Sequence, residues 1–253
     1  MSAGSVAPAV GAVVFDCDGV LADTDDAWAE AERLLCERYG GFFSDELRAS
    51  THGLSMRDTV LRLAAHMADP PAIAQLEAEL IALAAQRIQA HLAPLPGAVD
   101  LVTAVAAALP VAVASNTPRA ILDVILTSIG LLELLDASLA GDEVSHPKPA
   151  SDIYLAAAAS LGVRPAEVVV IEDSPTGARA ARLAGCRVLG VEAPGRSRLT
   201  DVEASFPDLP ALAVHLQTLL RSGRTIRQEA ATQASLGPSL TVDQGRRTVL
   251  PRW

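Results

Sequence analysis

Residues 11–20 read GAVVFDCDGV, a short apolar run rich in β-branched residues that is bounded by a glycine on one side and by Asp-Cys-Asp on the other. Its composition and length predict a buried strand that stops at the first aspartate. Three similar runs follow, VAVA at 111–114, VVVI at 168–171 and VLGV at 188–191. Helical patterns with clear punctuation separate them. Thr117 and Pro118 are placed to open one helix as cap and first-turn proline, with Gly130 closing it; Ser174 and Pro175 open another, closed by Gly185. Strand and helix in alternation predict an α/β fold with a parallel sheet. Both helices begin directly after a strand, so their N-termini face the carboxyl edge of the sheet, where open α/β sheets bind ligands and free backbone N–H groups attract anions.

Residues 24–95 interrupt the alternation. No strand is predicted there, while Ile73, Leu76, Leu80 and Leu83 fall at helical spacing in a helix expected to start at Asp69-Pro70. The segment reads as a helical insertion with joints near Asp23–Asp25 and Leu92–Pro96, leaving 6–23 and 96–221 as the sheet-bearing part. Of its aromatics, Tyr39, Phe42 and Phe43 are expected to form a local core, and Trp28 is close enough to the first strand to line a pocket. After residue 221 the apolar period fades. Residues 222–253 hold five arginines against two acids and read as a disordered basic tail.

The chain has 253 residues, 50% of them hydrophobic and 20% charged, an ordinary globular balance that excludes wholesale disorder. A net charge of −10 argues against general nucleic-acid binding. The most apolar stretch, 101–114, is broken by Thr103 and Pro110 and falls short of the ~18 residues of a membrane span, so no membrane partner is expected. Three cysteines without metal-ligand spacing, and an N-terminus with no basic region ahead of its apolar residues, fit reduced thiols in a cytoplasmic protein. The oligomeric state is not legible, and a monomer is the default. Lys148 is the single lysine beside 19 arginines. In a chain that otherwise uses arginine, a lysine held between Pro147 and Pro149 calls for a specific role, because a compact ammonium can neutralise a carboxylate and a phosphoryl oxygen together.

The acids are placed for chemistry. Asp16 and Asp18 alone fit a solvated turn as well as they fit a site, but a strand end at the ligand-binding edge puts both in the crevice, and Gly19 lets the chain turn away. Glu172 and Asp173 end another strand in the same way. Four carboxylates converging on one cleft would repel one another unless a cation lay among them, and an all-oxygen donor set suits Mg²⁺. Ser115 and Asn116 end a third strand and offer a hydroxyl and amides to an oxyanion.

The segments FDCDGVLADT, VAVASNTPR, HPKPASDIYLAA and VVIEDSPTGARAARLAG occur in the order and approximate spacing of the four motifs of the haloacid dehalogenase-like hydrolases. The chain resembles that superfamily over roughly residues 10–220, and most of all its sugar-phosphate phosphatase and β-phosphoglucomutase branch. The resemblance implies a Rossmann-like parallel-sheet core with an inserted α-helical cap. It implies that Asp16 is a nucleophile forming an aspartyl phosphate, that Asp18 is the general acid and base, and that Lys148 bridges the phosphoryl group to Asp16. Ser115 and Asn116 would bind the transferring group, and Mg²⁺ would be held by the Asp16 carboxylate, the Asp18 backbone carbonyl and Asp173, with Glu172 touching the ion or lying next to the groups that do. A cis Lys148–Pro149 bond is also implied.

The implied activity is Mg²⁺-dependent hydrolysis of a small phosphorylated metabolite, with a phosphoglucomutase-like transfer as the alternative and a non-catalytic ligand-binding relative behind it. Dehalogenation needs neither Asp18 nor the Glu172–Asp173 pair. A Schiff-base mechanism would need a lysine in 24–95, which has none. Trp28 stands where mutase-like members carry a histidine, and His52 and Met56 stand where they carry basic residues, with Arg57 one place off; Trp28, His52 and Arg57 are the candidate substrate contacts of the cap.

Overall fold

The computed structural model describes residues 9–192 and 199–221, apart from the side chains of 90 and 91. The expectation of a disordered tail over 222–253 lies outside the described residues. At the centre of the molecule β1 (Ala12–Phe15) hydrogen-bonds to β2 (Val111–Ser115) on one side and β4 (Val168–Glu172) on the other. The strands β3 (Ala137–Ala140), β5 (Arg187–Val191) and β6 (Ala204–Phe206) extend the sheet to the order β3-β2-β1-β4-β5-β6, every pair parallel. Phe15 pairs with both Val113 and Ile171, so the chain leaves the three central strands at nearly one level. That common level puts the residues after each strand on one ledge.

Sheet residues alternate strictly between two cores, as a pleated strand buried on both faces requires. Val13, Phe15, Val111, Val113, Val169 and Ile171 face one side, with α5 (Ala98–Ala106), α6 (Arg119–Ser128) and a helix over residues 209–221. Val14, Ala112, Ala114, Val168 and Val170 face the other, with α7 (Asp152–Ser160) and α8 (Pro175–Ala184). The second face is rich in alanine, including Ala157, Ala158, Ala178, Ala180 and Ala181, with Ile153 and Tyr154 among them. Ser174 caps α8 by accepting from the Gly177 N–H at 3.0 Å, and Gly185 closes the helix at φ 84°.

Between β1 and α5 lie the helices α1 (Asp25–Arg38), α2 (Asp45–Thr51), α3 (Met56–Ala64) and α4 (Ile73–His91), with no strand among them. The two ends of this segment run side by side: the Asp23 N–H donates to Ala93 O at 3.2 Å and the Leu95 N–H to Leu21 O at 2.9 Å. Leu35, Leu47, Val60, Leu63, Leu76, Leu80 and Ile88 are buried in one apolar cluster that continues onto the first face of the sheet.

The structure corrects three local readings. The helix expected from Asp69-Pro70 starts later, with Ala72 as N-cap and Ile73 as first residue. Pro70 and Pro71 each bias the residue ahead of them away from helical backbone, which delays the start. Phe42 is 79% exposed and takes no part in the expected core, whereas Tyr39 and Phe43 pack against it. The strands β3 and β6 carry no apolar run: the residues ASLA are mostly half-buried and ASF entirely so, as befits strands at or near the edges of the sheet.

Leu35 is fully buried on α1, the helix that lies along α4. Replacing it with alanine is expected to lower unfolding free energy by about 2–5 kcal/mol, the usual range for a buried leucine, as measured by urea titration followed by circular dichroism.

Candidate active site

The ledge at the ends of β1, β2 and β4 gathers Asp16, Ser115, Glu172 and Asp173, all buried. The Asp16 N–H donates to Ile171 O at 2.9 Å, which carries the sheet ladder one residue beyond the strand and fixes the acid's origin. Lys148 reaches the ledge from the loop between β3 and α7. Its Nζ donates to Asp16 Oδ1 and to Glu172 Oε1, both at 2.7 Å, and lies 4.9 Å from the centre of the Tyr154 ring. The Lys148–Pro149 peptide bond is cis.

Glu172 is the most engaged of the acids. Its Oε1 accepts from Lys148 and from the Tyr154 hydroxyl at 2.7 Å. Its Oε2 accepts from the Asp173 and Ser174 N–H groups, both at 3.1 Å, and from Ser174 Oγ at 2.9 Å. Burial works to raise its carboxyl, but Lys148 and these donors hold it below the ordinary glutamate range. Burial likewise works to lower Lys148, and the Asp16 and Glu172 carboxylates overcome it and hold the ammonium charged. Burial pushes Asp16 up to about 7, against Lys148 and with the help of Glu172 and Asp18.

Asp18 occupies a different environment made of hydroxyls. Its Oδ1 accepts from Thr24 Oγ1 at 2.5 Å and Trp28 Nε1 at 3.1 Å, and its Oδ2 from Thr117 Oγ1 at 2.6 Å and Ser115 Oγ at 3.0 Å. Thr117 is therefore no helix cap: α6 begins at Arg119 with Pro118 as its N-cap, because the Thr117 hydroxyl is drawn into the cleft. Asn116 holds the backbone of the lysine loop. Its Oδ1 accepts from the Lys148 N–H at 2.9 Å, and its Nδ2 donates to Lys148 O at 3.1 Å and to Gly53 O in the helical segment at 3.3 Å. Ser115 and Asn116 thus stand at the expected place, with their side chains serving Asp18 and Lys148.

Carboxylate oxygens of Asp16, Glu172 and Asp173 lie within 4.8 Å of one another. Three buried acids face a single buried ammonium, an imbalance that a hard divalent cation would correct, and an all-oxygen donor set matches Mg²⁺. Glu172, with both oxygens already bonded to protein donors, offers such a cation its charge more readily than a lone pair. The Asp18 carboxylate lies outside this acidic group and within the hydroxyl cage.

Above the ledge is a cleft of about 130 Å³. Trp28, Leu54, Met56, Leu80 and Pro118 give it apolar walls, while Glu32, Arg48, Thr51 and His52 add polar groups. His52 lies 3.6 Å from Asp25, and Arg48 pairs with Asp26 at 2.8 Å. Arg57 is a correction: it is exposed, points to Glu77 at 3.9 Å and does not line the cleft. One step along α3 turns a side chain by about 100°, so Met56 faces inward and Arg57 outward.

Several residues of the site escaped the sequence reading. Tyr154 could have been found, since it is the one large polar side chain in an alanine-rich helix and a buried phenol needs a partner. Thr24 and Thr117 flank recognised motifs, but nothing local says that their hydroxyls converge on Asp18. Arg48, Thr51 and Glu32 sit on helix faces whose direction only the packing of α1 and α2 decides.

Comparison with known proteins gives consistent relatives. The family model of haloacid dehalogenase-like hydrolases matches residues 13–191. The chain is 31% identical over 182 residues to the fructose-1-phosphate phosphatase YqaB of Escherichia coli, covering 71% of this chain and 95% of that protein. It is 32% identical over 183 residues to the validoxylamine A 7′-phosphate phosphatase of Streptomyces hygroscopicus subsp. limoneus, covering 70% and 84%. Among solved structures, CbbY from Rhodobacter sphaeroides in complex with phosphate superposes with a TM-score of 0.73 at 26% identity, over 80% of this chain and 96% of the other.

Gly177 lies against Glu172: a Cβ there would stand 1.6 Å from Oε1. A glycine inside a helix normally gains about 0.5–1 kcal/mol on replacement by alanine. Gly177→Ala is expected to do the reverse, lowering the melting temperature by at least about 2 °C, because the carboxylate must leave Lys148 to make room. Differential scanning calorimetry reads the sign directly.

Proposed function

The chain belongs to the haloacid dehalogenase-like hydrolases, and we propose that within them it is an Mg²⁺-dependent phosphatase of a small phosphorylated sugar or similar phosphomonoester, working through an aspartyl phosphate at Asp16. The observation that carries this reading is the Asp16–Lys148 pair at 2.7 Å, set beside an Asp18 carboxylate held by four donors. In this reading residues 24–95 are a cap over the core formed by 6–23 and 96–221. The names of the two phosphatase relatives support a carbohydrate-like substrate.

Asp16 Oδ1 is held by Lys148, and Oδ2, which has no hydrogen-bond partner among the described residues, is the attacking atom. Asp18 enters this step protonated, one of the rotatable hydroxyls that face it having turned away, and as the Oδ2–phosphorus bond forms and the bond to the leaving oxygen breaks it delivers that proton to the leaving oxygen. Asp18 then takes a proton from water, which attacks phosphorus and returns Asp16 to a carboxylate with release of inorganic phosphate. Lys148 offsets negative charge on Asp16 and on the arriving phosphoryl oxygens throughout, and Glu172 and Tyr154 keep its ammonium in place. Asp16 and Asp173 would hold Mg²⁺ with Glu172 beside them, and the ion would supply charge neutralisation and polarise a phosphoryl oxygen. Phosphate release is expected to be abolished by Asp16→Asn with the circular dichroism spectrum unchanged, because an amide cannot form the acyl phosphate. Chelation with EDTA should stop the wild-type enzyme and added Mg²⁺ should restore it. Turnover by a folded Asp16→Asn protein free of contaminating phosphatase would refute the nucleophile.

Hydrolysis is favoured over phosphoryl transfer between sugar positions by the cationic groups of the cleft. A mutase must hold a second phosphate, which calls for free cations in the cap. Among the described residues the cleft is lined by one arginine, Arg48, shared with the exposed Asp26, and by His52, which lies near Asp25; Arg57 is directed away, and Met56 takes the inward place. With β-glucose 1-phosphate and Mg²⁺, free phosphate is expected to accumulate faster than glucose 6-phosphate, with or without glucose 1,6-bisphosphate. The reverse order would make the protein a mutase.

A further inference from the structure

Glu32 is a buried acid that the chemistry at Asp16 does not use. It sits on α1, 7% exposed, and lines the cleft on the side of the inserted helices. Its Oε2 accepts from Thr51 Oγ1 at 2.7 Å. Among the described residues Oε1 has no hydrogen-bond partner, and no cation pairs with the carboxylate: Arg48 is taken by Asp26 and His52 faces Asp25. Oε1 is open to the cleft, so the donors it lacks come from whatever occupies that cleft, solvent or ligand. Burial raises its carboxyl to about 7, against the Thr51 hydroxyl, His52 and Arg48, which is the mark of that incomplete compensation.

Above about pH 7 Glu32 is a carboxylate and only accepts hydrogen bonds, so the group that completes it there carries O–H or N–H. A second anion at the same place would meet a like charge in a poorly solvated site. The walls on either side, Trp28, Leu80 and Met56, are apolar and suit the C–H faces of a polyhydroxylated chain or ring. We propose that Glu32 is the specificity residue of the cleft, accepting hydrogen bonds from hydroxyls at the end of the substrate away from the phosphate and rejecting substrates that carry a carboxylate or second phosphate there. The inference rests on the phosphatase reading and deepens it: the substrate is a neutral, polyhydroxylated monophosphate.

The test uses the full chain with Mg²⁺ and three compounds. Sorbitol 6-phosphate and 6-phosphogluconate have the same length and differ at the far carbon, a hydroxymethyl group in one and a carboxylate in the other; p-nitrophenyl phosphate has neither. Wild-type kcat/KM is expected to favour sorbitol 6-phosphate over 6-phosphogluconate by at least about 100-fold. In Glu32→Gln the ratio of kcat/KM for sorbitol 6-phosphate to that for p-nitrophenyl phosphate should fall by about 10–100-fold, the worth of a charge-assisted hydrogen bond. The preference over 6-phosphogluconate should shrink with it. A wild type that treats the two sugar acid and polyol phosphates alike, or a folded Glu32→Gln whose ratios move less than about 3-fold, overturns the role of Glu32 while leaving the phosphatase reading intact. A wild type that hydrolyses none of the three overturns the phosphatase reading, and this inference with it. If Glu32→Gln does not fold, Glu32→Asp, which keeps the charge but withdraws it by one methylene, is read on the same ratios.

Discussion

The ammonium of Lys148, buried between Asp16 and Glu172, is the contact on which the rest of the site is arranged. An isolated buried lysine would shed its proton, and three converging acids without it would not stay ionised together. Held by two carboxylates and set against the Tyr154 ring, the ammonium stays charged and fixes the ledge of acids. An arginine could not take this place on the same terms, since its planar fork needs a broader, flatter set of acceptors than two carboxylates approaching one nitrogen. That requirement gives a physical reason for a single lysine in a chain that otherwise uses arginine.

The acid ledge and the hydroxyl cage divide the labour of the cleft. Asp16, Glu172 and Asp173 are packed where charge is confined and a cation is welcome. Asp18, two residues from Asp16, is surrounded by Thr24, Trp28, Ser115 and Thr117. One turn after β1 therefore sends two aspartates into chemically opposite surroundings. Trp28 comes from the inserted helices, so the cage is complete only where those helices meet the sheet. Asn116 makes the corresponding link on the other side, joining the lysine loop to Gly53.

What the sequence disclosed follows from how local each signal is. The central strands are continuous apolar runs, so β1, β2, β4 and β5 were legible, as were the acids that terminate β1 and β4. The outer strands β3 and β6 lack such runs because one face or edge is solvated, and they were missed. Asp16, Asp18, Ser115, Asn116, Lys148, Glu172 and Asp173 could be placed because each follows a strand end or a proline-bounded turn. The helices of 24–95 gave no such anchor. A residue's direction there depends on how α1 to α4 pack, and so the outward turn of Arg57 and the inward turn of Glu32, Arg48 and Thr51 leave no local mark in the sequence.

The two faces of the sheet also differ in how they can change over time. On the side of α7 and α8, the valines of the sheet, Ile153 and Tyr154 are packed among Ala112, Ala114, Ala157, Ala158, Ala178, Ala180 and Ala181, side chains already near the smallest available. Almost any substitution at those alanines is an enlargement, and enlargement of a close-packed layer strains it by about 1–3 kcal/mol. The cluster that includes the inserted helices is richer in leucine, isoleucine, valine and methionine, which can be exchanged for one another at comparable volume. Descendants of this sequence are therefore confined on the side that supports Glu172 and Lys148, and comparatively free to drift on the side that carries Trp28 and Glu32. A lineage built this way can acquire new substrates while its reaction stays the same.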